Sequence, residues 1–200
     1  MSPPCFASAK AWQMCLISAN CYHAERRIVH LIYMNILSVL HHLFRKTSSN
    51  GVNTTPQQGI SLSRYLGRWY EQARIENWFE AGMDYVYTDY SMGVHGSINI
   101  TNNGTKSNGR KCQATGKGTP CGQGRMNVSF VPPYGWFRAP YHILYVDNEY
   151  ETALVSGESN AYLWLLTRKP HPLREQLTAL IKEAQQRGFD TTQLRYTRQN

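Results

Sequence analysis

The sequence predicts an all-β fold, an eight-stranded antiparallel up-and-down β-barrel with one α-helix packed on its outside. Three observations predict it. From Tyr65 onward, apolar and polar residues alternate with a period of two in short runs. Turn-forming residues interrupt these runs at close intervals, the pattern of a sandwich or a closed barrel. Near the C-terminus the period changes once, to that of a single amphipathic helix.

The strands follow in order. Residues 69–75 form the first, and residues 85–92 the second, with Val86, Thr88 and Tyr90 on one face against Tyr85, Tyr87 and Asp89. Residues 97–102 put Ile98 and Ile100 on a common face. Asn102-Asn103-Gly104 and Ser107-Asn108-Gly109 then read as turns. Residues 111–117 and 124–131 are the next two strands, the second carrying Met126, Val128 and Phe130 on one side. Residues 141–146, 151–156 and 161–168 complete eight. In the helix, Pro172 stands at the start and Gly188 at the end. Leu177, Leu180, Ile181 and Ala184 share one face, and the outer wall of the barrel is the surface available to bury it.

Two hundred residues suffice for one core, or for one domain with a tail. Charged residues are 17% of the chain, below the about 25% of an ordinary soluble domain. Aromatics are 12%, thirteen of them Tyr, which suits strands and partly wet pockets. The net charge is +8. Within residues 59–200 the basic side chains are scattered, apart from Arg110-Lys111 and Arg168-Lys169. A nucleic-acid partner is therefore not expected, whereas an anionic membrane surface or an acidic lipid head fits the excess. The five cysteines lack metal-ligand spacing, so neither a metal nor a cofactor is expected. Cys112 and Cys121 bridge a hairpin if the protein is exported, or remain thiols if it is cytosolic.

Residues 1–58 read as an atypical leader and residues 59–200 as the domain. The leader is rich in Cys and His and ends in a linker-like run, Thr47-Ser48-Ser49-Asn50-Gly51. Its apolar stretch at 11–19 contains Gln13, and Cys21 follows Asn20 rather than a small residue. The stretch 28–44 carries His30, Asn35, His41 and His42, and is too short and polar to span a bilayer comfortably. Two readings stand. A degenerate signal or anchor implies the cell envelope, at the outer membrane or in the periplasm; translation from Met34 implies the cytoplasm.

Leu66-Gly67-Arg68-Trp69-Tyr70-Glu71-Gln72-Ala73-Arg74 resembles the first-strand signature of the lipocalin family. Residues 141–157, with Val146-Asp147-Asn148-Glu149-Tyr150 at a turn, resemble the second signature, and residues 162–170 the third. The three come in order across residues 60–198 and are most similar to the bacterial outer-membrane, apolipoprotein D-like group. The resemblance implies that Trp69 plugs one end of the barrel and that Arg168 lies over its indole as a cation–π partner. Gly67, Trp69, Asp147 and Arg168 are then scaffold. It further implies a non-enzymatic carrier or store of a small hydrophobic ligand, such as a fatty acid or lysophospholipid, in membrane lipid storage or maintenance. A monomer or homodimer is expected.

Strand parity supplies the expected cup lining: Val86, Thr88, Tyr90, Ile98, Ile100, Met126, Val128, Phe130, Tyr141, Ile143 and Tyr145. Trp78, Phe79, Tyr134, Trp136, Phe137 and Arg138 are expected at the rim. Arg74, Arg125 or Arg138 would hold an acidic head group. Two alternatives carry specific residues. A lipid-modifying isomerase or peroxidase would use Cys112 or Cys121 in the cup. A haem or tetrapyrrole carrier would need His142, whose parity points it outward.

Overall fold

The computed structural model describes residues 51–130 and 137–200. Leader residues 1–50, including Met34, lie outside them, as do Tyr134 and Trp136 of the expected rim. A short helix α1 (Leu62–Tyr65) leads into β1 (Gly67–Ile75), β2 (Met83–Met92), β3 (Ile98–Lys106), β4 (Lys111–Pro120) and β5 (Arg125–Phe130). Then come β6 (Phe137–Val146), β7 (Thr152–Ser156), β8 (Leu163–Thr167), helix α2 (Arg174–Gln186) and β9 (Leu194–Tyr196). Strands β2 to β8 pair in chain order, β8 pairs with β1, and β1 pairs back with β2. This closes an eight-stranded antiparallel barrel, with β9 added outside the closed set.

Closure by β1 is shared along its length. Gly67–Tyr70 pairs with β2, but β2 then diverges, and β9 takes the vacated edge opposite Ala73, Arg74 and Ile75. The following residues continue the bridge: Thr197 N donates to Gln72 O, and Tyr85 N donates to Arg198 O. Asp84 clamps this segment through Arg195 at 3.0 Å and Arg198 at 2.8 Å. Those guanidinium contacts hold the Asp84 carboxyl below the usual carboxylate range despite its burial.

Two departures from strict alternation decide which side chains face inward. Between β1 and β8, Glu71 opposes Leu166 and Ala73 opposes Leu165, so Gln72 is an extra residue on β1. The bulge returns Arg74 to the face of Glu71, where simple alternation would separate them. Between β6 and β7 the register shifts between Ile143 and Tyr145. As a result Tyr145 leaves the interior and packs with Leu144 and Leu154 in the outer core. The expected inward position of Tyr145 is corrected by this bulge. The Asn102-Asn103-Gly104 turn is also corrected: these residues run on within β3, paired with Ala114, Gln113 and Cys112. Neighbouring strands on both sides satisfy that backbone, and the turn falls instead at Ser107–Arg110, where Gly109 has φ +79°.

The apolar groups form two layers. An inner cluster includes Trp69, Ile98, Met126, Ile143 and Val155. An outer cluster joins Ala73, Leu154, Leu163 and Leu165 to Leu180 and Ala184 of α2, both of which are fully buried. Burying a residue such as Leu180 contributes about 1.5–3 kcal/mol. Gly188 ends the helix at φ +87°, donating its N–H to Gln185 O at 2.9 Å. Residues 52–57, assigned to the leader by composition, lie along the barrel: Asn53 N donates to Arg187 O and Gln57 N to Ile143 O.

Asp147 organises the β6–β7 turn. Its carboxylate accepts from Glu151 N at 2.8 Å, Thr152 N at 3.0 Å and Thr152 Oγ1 at 2.7 Å. Asp147→Ala removes the two oxygens that accept these three hydrogen bonds and is expected to cost about 2 kcal/mol, read as a lower urea midpoint with an unchanged slope.

Candidate functional site: a one-ended cup

One end of the barrel is shut. Trp69 is fully buried and donates its indole N–H to Tyr65 O at 2.8 Å. The Arg168 guanidinium lies 3.9 Å from the Trp69 ring centre and donates to four backbone carbonyls, those of Arg64, Tyr65, Arg68 and Tyr150. Gly67 has φ +96°, and a Cβ there would stand 3.2 Å from Arg168 Nη1. Glycine is thus required both by the backbone and by the approach of Arg168. Ile98, Met126 and Ile143 pack above this plug as a closed floor rather than as cup lining.

Above the floor lies a cup of about 150 Å³. Of the expected lining, Val86, Thr88, Tyr90, Ile100, Val128, Phe130 and Tyr141 face it, and Trp78 and Phe79 stand at the mouth. A volume of that size accommodates one narrow chain or ring. Gly116 makes room for the wall: a Cβ there would meet the Phe130 ring at 2.7 Å. The Gly-rich fourth strand therefore serves close packing of Phe130.

The cup also contains polar groups not anticipated from the sequence. Glu71 and Glu80 line it, with Asn102, Asn103 and Gln113 higher on the wall. Glu71 is 2% exposed; it is held by Arg74 at 2.6 Å and by the Thr197 hydroxyl. Burial and the charge of Glu80 outweigh Arg74, pushing the Glu71 carboxyl up to about 7. Glu80 Oε2 accepts from Trp164 Nε1 at 2.9 Å and from Asn77 Nδ2 at 2.7 Å. The available signal was parity: Glu71 stands two residues from Trp69 on the same strand face.

The three arginines expected to bind a head group do not face the cup. Arg74 is fully buried and occupied by Glu71, Glu76 and the carbonyls of Glu80 and Met83. Arg125 is exposed and pairs across the ladder with His142, away from the cup. Arg138 is exposed, and its neighbour Ala139 supplies the inward side chain. Phe137 opens β6. His142 points outward, its Nδ1 3.1 Å from Thr54 O, and burial lowers its pKa from the usual value. Cys112 lines the cup, but Cys121 lies beyond the other end of β4. Both are free thiols, and a strand of that length separates them by about 30 Å, which rules out the hairpin bridge.

A family profile described as a lipocalin-like domain matches residues 60–199. The chain is 37% identical over 149 residues to the outer membrane lipoprotein Blc of Vibrio cholerae, covering 72% of this chain and 85% of the relative. It is 34% identical to the Escherichia coli K12 protein of that name, covering 72% and 86%, and 29% identical to bovine apolipoprotein D, covering 62% and 69%. Among solved structures, lobster apocrustacyanin A1 superposes with TM-score 0.57 at 20% identity, over 76% of this chain and 92% of that one. A crystal structure of apocrustacyanin C1 gives 0.60 at 20% identity, over 72% and 82%. These two likenesses establish the fold.

Proposed function

This chain belongs to the lipocalin family, and from that premise we propose that its cup carries or stores one small apolar molecule, a lipid chain foremost, without transforming it. The observation that carries this reading is the one-ended cup itself, shut by Trp69 and Arg168 and walled by Val86, Ile100, Val128 and Phe130. An alkyl chain entering it gains about 0.8 kcal/mol per buried methylene. Two of the relatives carry the name outer membrane lipoprotein, which supports a role in membrane lipid storage or maintenance. Cys112 in the wall favours the isomerase or peroxidase reading as a second one. Against it, no His, Lys or Arg lines the cup among the described residues, and a thiolate needs such a neighbour.

The test is displacement of the neutral dye N-phenyl-1-naphthylamine from the full chain by a fourteen-carbon lipid. Ala139 lines the cup, so Ala139→Phe is expected to weaken dye binding more than tenfold, about 1.4 kcal/mol, with the thermal midpoint retained. Unchanged binding in that variant would overturn the cup as the site.

A further inference from the structure

We infer that the floor of the cup reads an uncharged oxygen atom, a ketone, ester or alcohol, at the inserted end of its ligand; this rests on the carrier reading. The inference comes from counting protons on three phenols. Tyr141 Oη lies 2.7 Å from Tyr65 Oη and 2.9 Å from Tyr90 Oη. Three phenols bring three hydroxyl protons, and only two contacts join them. One proton is left over.

Its position follows from burial. Tyr65 is 1% exposed and does not line the cup, and its hydroxyl meets only that of Tyr141. A spare proton on Tyr65 would be a buried donor without an acceptor, an arrangement that folded proteins avoid. Tyr65 therefore donates to Tyr141, and the surplus proton belongs to Tyr141 or Tyr90. Both line the cup. Thr88 stands beside Tyr90 and passes its own proton to Asn102 Oδ1 at 2.9 Å, so its oxygen is a resting acceptor that a ligand oxygen can replace.

The rest of the floor selects the type of oxygen. Burial pushes the Tyr90 hydroxyl up to about 12 and raises Tyr141 well above its ordinary value, so both remain neutral donors at physiological pH. No cationic side chain lines the cup among the described residues, so a carboxylate at the floor would be desolvated without a counter-charge. A methyl terminus would leave the donor with Thr88 only. A neutral oxygen meets neither difficulty.

The experiment compares 2-tetradecanone with its isostere 2-methyl-1-tetradecene as displacers of the dye from the full chain. The ratio of ketone to alkene affinity is expected to fall about fivefold in Tyr141→Phe and in Tyr90→Phe, the size of one hydrogen bond. Tyr145→Phe, altered outside the cup, should keep the wild-type ratio. A ratio equal in the wild type and in both cup variants overturns the inference while leaving the carrier reading standing. If neither compound displaces the dye from the wild type, the carrier reading falls and this inference falls with it.

Discussion

Arg74→Met is expected to lower the stability of the chain by about 3–5 kcal/mol at pH 8, and by clearly less at pH 5. Arg74 is fully buried, and it pairs with Glu71, which is itself 2% exposed. Removing the cation leaves the Glu71 carboxylate without its counter-charge, and the Met83 and Glu80 carbonyls each lose one donor while keeping Arg195 Nη1 and Met83 N respectively. The pH sign follows from Glu71, whose folded value is already about 7, above that of an unfolded glutamate. Its contribution to stability is present in full below the unfolded pKa and is lost as pH rises through about 7. Without Arg74 the folded value rises further, so the loss grows toward alkaline pH. His142, whose value is lowered by burial, contributes above about 6.5 and loses that contribution as pH falls, but it is common to both chains and cancels in the difference. Urea unfolding of both proteins at the two pH values measures the effect. Adding Glu71→Gln to Arg74→Met should remove most of the pH dependence; its persistence would mean that another group is titrating.

Arg168→Ala is expected to cost about 3 kcal/mol, with Arg168→Lys recovering less than half of it. One flat guanidinium serves four carbonyls and covers Trp69 at 3.9 Å. A lysine ammonium can neither stack in that way nor reach four acceptors from one plane. Thermal unfolding followed by Trp fluorescence reads both variants. Equal stability of the Lys variant and the wild type would show that charge alone holds the closed end.

The barrel was legible because it rests on local rules, and the plug of Trp69 and Arg168 because the family resemblance implied it. Period-two alternation placed the eight barrel strands, and the i, i+3, i+4 stripe placed α2 with Leu180 and Ala184 inward. What escaped depends on partner strands. The bulges at Gln72 and beside Tyr145 invert parity only because β8 and β7 offer one residue against two, and a single strand does not reveal that count. The Asn103-Gly104 pair has the composition of a turn, yet β2 and β4 flank it and hold it in a ladder. Segment 194–199 is too short to announce itself as a strand, and its place exists only where β2 parts from β1. Glu71 escaped for a different reason: a carboxylate inside an apolar cup contradicts the hydrophobic pattern, and it is tolerated there because Arg74 and Thr197 come to it.

The shared edge of β1 also sets an order of events during synthesis. Gln72 meets its partner Thr167 only after 95 further residues, and Glu71 meets Thr197 after 126. Until then β1 has one open flank carrying an unmatched acid and base. β2 and β3 can form their hairpin early, but the wall has to wait for the chain made last. The stretch most exposed to mispairing with another nascent chain is thus the one bearing the family signature, and slow translation before β8 would prolong that exposure.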